Sequence, residues 1–293
     1  MAVNATVSGS GRKSRGAPTW LRRLGLLRES PVGMIGAFLV VFWVVVALFA
    51  PLLAPYDPNA NNYQALIDPT PSEEFLLGTD NQGRDILSRI IWGSRTVLIV
   101  APIATITAYI FGCLLGLFAG YYRGWVDNVV MRIADILLSF PVIVLYIFII
   151  VVFGASMLNI IIAVTFIAAP QITRIVRGLT LEIRERDFVA AAKMRGESPL
   201  YIMLVEILPN ARGPLIVDAC LRMGYTTIQI GVLGFLGLGL PPPDPDWGGM
   251  VKDTYGMMST YPHMSLIPCA AISSLVVGFN LLADGLREIS LRD

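Results

Sequence analysis

Charge is what this sequence has least of. Only 15% of its 293 residues are Asp, Glu, Lys or Arg, against roughly 25% in an ordinary soluble chain. The deficit sits in apolar runs of about twenty residues, each long enough to cross a hydrocarbon core of roughly 30 Å. With 55% hydrophobic residues and mean hydropathy +0.67, the chain reads as an all-α polytopic membrane protein whose main surroundings are the lipid bilayer. A net charge of +1 gives no sign of a nucleic-acid partner.

Other shortages exclude chemistry. A single histidine, His263, cannot build a zinc site alone. Cys113, Cys220 and Cys269 lie inside apolar segments without metal or redox spacing, so they read as small buried hydrophobes. None of the three lysines, Lys13, Lys193 and Lys252, follows a glycine, which removes the phosphate-cradling G-x-x-x-x-G-K-[ST] loop. No G-x-S-x-G elbow and no H-E-x-x-H pair occurs. The alternating acids between Asp80 and Asp85 lack the later glutamate of a calcium loop and read as turn and cap chemistry. The sequence therefore predicts no catalytic residue, no metal and no bound cofactor, and any nucleotide energy has to come from another chain.

What is present is a map of six membrane spans. Residues 1–30 form a basic tail (Arg12, Lys13, Arg15, Arg22, Arg23, Arg28), which places this end in the cytoplasm. The first span covers 31–53; at Val32 to Leu53 its apolar run is too long for a cleaved signal peptide. Residues 54–94 are acidic and proline-punctuated, suiting the external side, and end in a short amphipathic helix capped by Asp85. A core region of five further spans occupies 95–290. Span two runs from about Arg95 to Gly120. Span three, about Val129 to Phe153, has Pro141 as a kink site, and Arg132 and Asp135 at i and i+3 are placed to share charge. Span four ends near Gly178, with Pro170 as a second kink site. Span five runs from Pro214 to Leu240, 241–263 is an external loop, and span six, Met264 to Ala283, returns the C-terminus to the cytoplasm.

The most structured polar stretch is Asp187 to Pro209, DFVAAAKMRGESPLYIMLVEILP. Asp187 to Arg195, with Ala190, Ala191 and Ala192 in a row, favours helix, and Gly196 suits a left-handed cap. Ser198 is a natural N-cap and Pro199 fits the first helical position. Leu200, Met203, Leu204, Ile207 and Leu208 form one apolar stripe at helical spacing. Pro209 predicts a boundary or kink. Seven basic residues between 171 and 212 put this helix–turn–helix in the cytoplasm. Glu197 and Glu206 flank the second helix and its stripe carries no cation, which speaks against a mere lipid-surface helix.

Within the spans, Asp218 and Arg222 at i and i+4 can pair on one helix face. Two readings stand: they line an aqueous pathway, or they are a paired anchor near the cytoplasmic end of span five.

The residues carry a family resemblance. Ala190-Ala191-Ala192-x-x-x-Gly196, nine residues, then Glu206-Ile207-Leu208-Pro209 resembles the E-A-A-x-x-x-G-x9-I-x-L-P loop of importer-type ABC permeases. Ala190 stands where that family has Glu, and Glu206 where Ile is common. The blocks LLGTDNQGRDILSRIIWGSR, GLFAGYYRGWVDNVVMRIADILLSFP, GFLGLGLPPPDPDWGGM and FNLLADGLRE, in family order across about 31–290, are similar to the C-type permease of dipeptide and oligopeptide transporters. The resemblance implies a type I importer permease fold in a bacterial inner membrane. It also implies a homologous second permease, two cytoplasmic ATPases consuming ATP with magnesium, and an extracytoplasmic substrate-binding protein. It makes 187–209 the coupling helix seated on an ATPase, and peptides the cargo, with glutathione, opines, nickel complexes or oligosaccharides as alternatives. The different-class alternative is an ion-coupled secondary carrier, which would show isolated acids or broken helices at mid-span.

Overall fold

The computed structural model describes residues 30–241 and 243–290. The basic tail before Ser30 and Arg292 lie outside them. Helix dominates, and the only strand-like pairing among the described residues is one isolated bridge, Thr79 to Asp85. The principal helices are α1 (Pro31–Leu48), α2 (Ile86–Tyr122), α3 (Gly124–Ser139), α4 (Val142–Phe153), α5 (Met157–Ile183), α6 (Asp187–Met194), α7 (Pro199–Phe235), α8 (Trp247–Thr254) and α9 (His263–Ser290).

Five helices (α1, α2, α5, α7 and α9) are long and apolar enough to cross a membrane, and α3 with α4 forms a sixth span only if the pair is counted as one. That pair departs from the expected single kinked span. The chain turns by 89° between them. Pro141 disfavours helical geometry at the residue before it; Phe140 accordingly sits at φ −83°, ψ 143°, extended, and Pro141 becomes the N-cap of α4. Alone, the 12 residues of α4 reach only about 18 Å. By contrast α5 runs through Pro170 unbroken, because neighbouring helices support it along its length.

Span two also begins earlier than its hydropathy suggests. Asp85 accepts a bond from Ser88 N at 2.8 Å, as expected of an N-cap. From there the amphipathic segment continues without interruption to Tyr122, so α2 is one helix of 37 residues. Its first turns bury Ile86, Ile90 and Ile91 beneath the loop that precedes it.

Two glycine seams hold the bundle together. Along α2, Gly112, Gly116 and Gly120 face α5; a Cβ at Gly116 would lie 2.6 Å from Cβ of Val176, and one at Gly120 would lie 2.7 Å from Cβ of Thr180. Only glycine permits this approach of backbones. Gly33 and Gly36 of α1 meet Gly285 and the Gly278–Leu282 backbone of α9 in the same way. α7 packs on α9, and α8 is wedged between them.

The segment 241–263, expected as a plain external loop, contains α8. Asp246 caps it, accepting from Gly248 N and Gly249 N, both at 3.2 Å. Trp247 is wholly buried, donates from Nε1 to Ile90 O at 3.0 Å, and meets Trp43 edge-on with centroids 4.8 Å apart. Gly93 of α2 leaves room for its indole.

Candidate functional site

The segment 187–209 keeps its predicted capping chemistry. Gly196 has φ +78°, and its N–H donates to Lys193 O at 3.0 Å while Glu197 N donates to Ala192 O at 3.2 Å. That two-bond pattern closes α6 as a Schellman motif. Ser198 Oγ then accepts from Tyr201 N at 3.3 Å and Pro199 opens α7. Nothing lies within 4 Å of a Cβ on Gly196, so its role is conformational.

The second helix differs from expectation in two linked ways. Residues Ile202–Ile207 form a π turn, and Leu208 N bonds to Met203 O, five residues back. The wide turn shifts the face presented by the residues after it. Ile202, Met203, Ile207 and Ala211 are buried, whereas Leu200, which precedes the turn, and Leu204 are exposed. Leu208 is half-buried. Pro209 ends nothing. It follows the wide turn, where its missing N–H is accommodated, and α7 continues to Phe235.

The loop is tied to the bundle on one side only. Val189 and Ala192 insert into a core with Leu117, Ile183 and Ile207. Arg184 donates to Tyr121 O, and Arg184 and Lys193 lie 5.6 and 5.7 Å from the Tyr121 ring. Arg195 bridges Glu206 at 3.2 Å and Glu197 at 3.6 Å, which holds α6 against the start of α7. The other side is bare. Met194 is 83% exposed, and Leu200, Tyr201, Leu204 and Val205 are exposed beside it. Ala190 is exposed too, Ala191 partly so, so the position where this loop departs from its family pattern is on open surface.

Asp218 and Arg222 pair as predicted, Nε to Oδ2 at 2.7 Å. α7 starts at Pro199 rather than Pro214, so Asp218 lies near the middle of its 37 residues. Tyr109 of α2 donates its hydroxyl to the same Oδ2, and Arg222 Nη1 donates to Gln171 Oε1 of α5 at 3.1 Å. Gln171 is exposed and likewise at mid-helix. Three helices therefore converge on one polar cluster. Tyr109 and Gln171 were not singled out in the sequence, since contacts between distant helices leave no local pattern.

Charges elsewhere are arranged differently from their sequence spacing. Asp135 bonds Arg174 of α5 at 2.5 Å rather than Arg132, and Asp127 takes a two-pronged bond from Arg177. At the far end Asp80 accepts Arg84 Nε at 2.6 Å, with Arg89 Nε 3.7 Å away. Burial pushes Asp246 up to about 6, opposed by its two backbone N–H donors and by Arg89. No group of three or more potential metal ligands occurs among the described residues.

Comparison with known proteins follows the same outline. Residues 112–293 match the family model described as binding-protein-dependent transport system inner membrane component. Residues 20–71 match the N-terminal TM domain of oligopeptide transport permease C. A dipeptide transport system permease protein of Alkalihalophilus pseudofirmus is 38% identical over 92% of this chain and 88% of its own. A glutathione transport system permease protein of Pectobacterium atrosepticum is 38% identical, covering 89% and 87%. One from Escherichia coli is 40% identical over 89% and 86%.

Proposed function

The chain belongs to the binding-protein-dependent transport system inner membrane components, multi-pass proteins of the inner membrane, and from that premise we propose that it forms half of an import path for di- or oligopeptides. A homologous permease supplies the other half. An extracytoplasmic binding protein delivers the peptide to the face formed by 54–94 and 241–263, and two cytoplasmic ATPases drive the cycle with ATP and magnesium. The chain itself carries translocation, not catalysis. In this arrangement both termini and residues 187–209 lie in the cytoplasm.

The observation that carries the reading is the exposed apolar cap of the 187–209 loop. Met194, Leu200 and Tyr201 protrude where the loop has no tether, and such a patch marks a contact with another protein. Seated in an ATPase cleft, α6 and the first turns of α7 transmit the ATPase movement. Ser198 and Gly196 fix the angle between them, and Arg195 with Glu197 and Glu206 keeps them moving as one piece. Ala190 contributes no charge to that contact.

Coexpression with its neighbouring genes tests this. A tagged chain should copurify with an ATP-hydrolysing subunit, and the reconstituted complex should take up labelled dipeptide only with ATP and binding protein. Absence of any ATPase from the purified material would overturn it. Glutathione is the second reading, supported by the relatives of that name at 38–40% identity. Competition of dipeptide uptake by glutathione separates the two.

A further inference from the structure

We propose that an open cleft in the segment 54–94 is a socket for a lysine or arginine side chain projecting from the binding protein, its cationic head on Glu74 and its stem along Tyr56, Tyr63 and Phe75. This rests on the binding-protein-dependent reading above and names the patch, and the chemistry, by which that partner docks.

The cleft is preformed. It has a volume of about 450 Å³ and lies between residues 56–64 on one side and Glu74 and Phe75 on the other. Its walls are tied together across the chain. Asn62 N donates to Gly83 O at 3.0 Å, Tyr56 N to Ser88 Oγ at 3.0 Å, and the Tyr56 hydroxyl to Glu74 O at 3.1 Å. Gly83, at φ +74°, brings the two backbones so close that a Cβ there would lie 2.1 Å from Asn62 O. The Tyr56 and Phe75 rings pack with centroids 5.1 Å apart. The segment is also fastened to 241–263: Asn81 Nδ2 donates to Asp253 O at 2.9 Å, and His263 Nε2 lies 3.0 Å from Pro69 O. A cleft held this firmly gives up little freedom when it is filled.

Its charge is of one sign. The segment's only cations, Arg84 and Arg89, are buried against Asp80. The charges left at the surface, Asp57, Asp68, Glu73 and Glu74, are all acidic, and none forms an ion pair among the described residues. Of these four only Glu74 lines the cleft. Asp85, the other carboxylate there, is spent on Ser88 as the cap of α2. One free carboxylate beside three aromatic rings suits a long cationic side chain. The ring faces attract the charge, the methylene stem lies on apolar surface, and the carboxylate takes a charge-assisted bond. An acidic partner would meet repulsion, and a purely apolar one would bury Glu74 without a donor. The cleft lies outside the spanning helices, so it meets whatever docks on that face, not cargo inside the path. The surrounding acids steer a basic surface toward it.

The test follows ATP hydrolysis by the complete transporter in proteoliposomes as peptide-loaded binding protein is titrated in. Copurification with the second permease and the ATPases verifies assembly of each variant. Glu74→Lys should raise the half-saturating concentration of binding protein about tenfold or more, and Glu74→Gln and Tyr63→Ala about threefold, with the saturated rate retained. Glu73→Lys, the same reversal one residue outside the cleft, should have a clearly smaller effect. Added salt should weaken docking of the wild type more than that of Glu74→Gln, since one screened pair is already gone. Equal weakening by Glu73→Lys and Glu74→Lys overturns the socket and leaves only a diffuse acidic field. An unchanged titration for Glu74→Lys overturns it too. Loss of the second permease from the Glu74→Lys preparation would give the cleft to the pairing of permeases and overturns it likewise. A wild-type complex whose ATP hydrolysis does not respond to binding protein sinks the transport reading itself, and this one with it.

Discussion

The two ends of the bundle handle charge in opposite ways. At the end where α2 begins, charge is buried: Asp80, Arg84, Arg89 and Asp246 are all sunk beneath loop and helix, and Trp247 fills the gap between α1, α2 and α8, while Tyr63, Ile67 and Leu76 of the preceding loop stay exposed. At the end where α6 and α7 meet, charges are mostly exposed and apolar residues protrude. The first end is closed by buried ion pairs. The second is open: its inner face packs Val189, Ala192, Ile202, Met203 and Ile207 into the core, and its charges stay near the surface. That contrast makes different substitutions matter at each end.

Removing the wedge at the closed end should have the largest effect on stability. Trp247→Ala leaves an indole-sized void and removes the bond from its Nε1 to Ile90 O, a loss of about 3–5 kcal/mol, read as a large drop in melting temperature of the purified protein. A drop as small as that of a surface substitution would show that this end is not held by its tryptophan. Next is the pH response of Asp246. Its pKa is raised from 3.8 to about 6 by burial, so the folded state holds a proton more tightly than the unfolded one. Stability from this group is complete below about pH 4 and is lost as pH rises to 6, by up to about 3 kcal/mol. Asp246→Asn should flatten that slope while keeping the cap; an unchanged slope would assign it to another group.

At the open end, Gly196→Asp places a side chain at φ +78° in free space. The backbone cost is only about 1–2 kcal/mol, so the protein should still reach the membrane, yet transport should be abolished because α6 no longer meets α7 at the same angle. Transport at the wild-type rate would break the contrast. Smallest is Glu206→Ala. Its bridge to the half-exposed Arg195 should contribute under about 1 kcal/mol, too little to shift the melting temperature by more than a few degrees.

The sequence made some of this legible and hid the rest for physical reasons. Caps are local, so Asp85, Gly196, Ser198 and Pro199 could be read directly, and long apolar runs announce membrane helices. A π turn has no composition of its own; Ile202–Ile207 looks like ordinary helix, and of the predicted stripe Met203 and Ile207 are buried while Leu200 and Leu204 are exposed. Pro141 signalled a kink, but only contacts with other helices decide between a kink and an 89° turn. Partners chosen across the bundle are equally silent: Arg174 took Asp135 because α5 lies beside α3. One signal was present and passed over. Gly112, Gly116 and Gly120 at four-residue spacing predict a helix seam, and that seam joins α2 to α5.

The seam has a mechanical consequence. Two helices with interlocked backbones bend as one beam, far stiffer than either alone, since neither can slide or rotate without driving Cα into side chain. The short link Arg184 to Arg186 connects this beam to α6, and Tyr121 at its tip is gripped by Arg184 and Lys193. A load applied at α6 is thus delivered to the far end with little lost to flexure. Compliance must reside in joints that lack such a seam; the link at Arg123 and Gly124, both at positive φ, is held instead by side-chain bonds, Arg123 to Glu185 and Asp127 to Arg177.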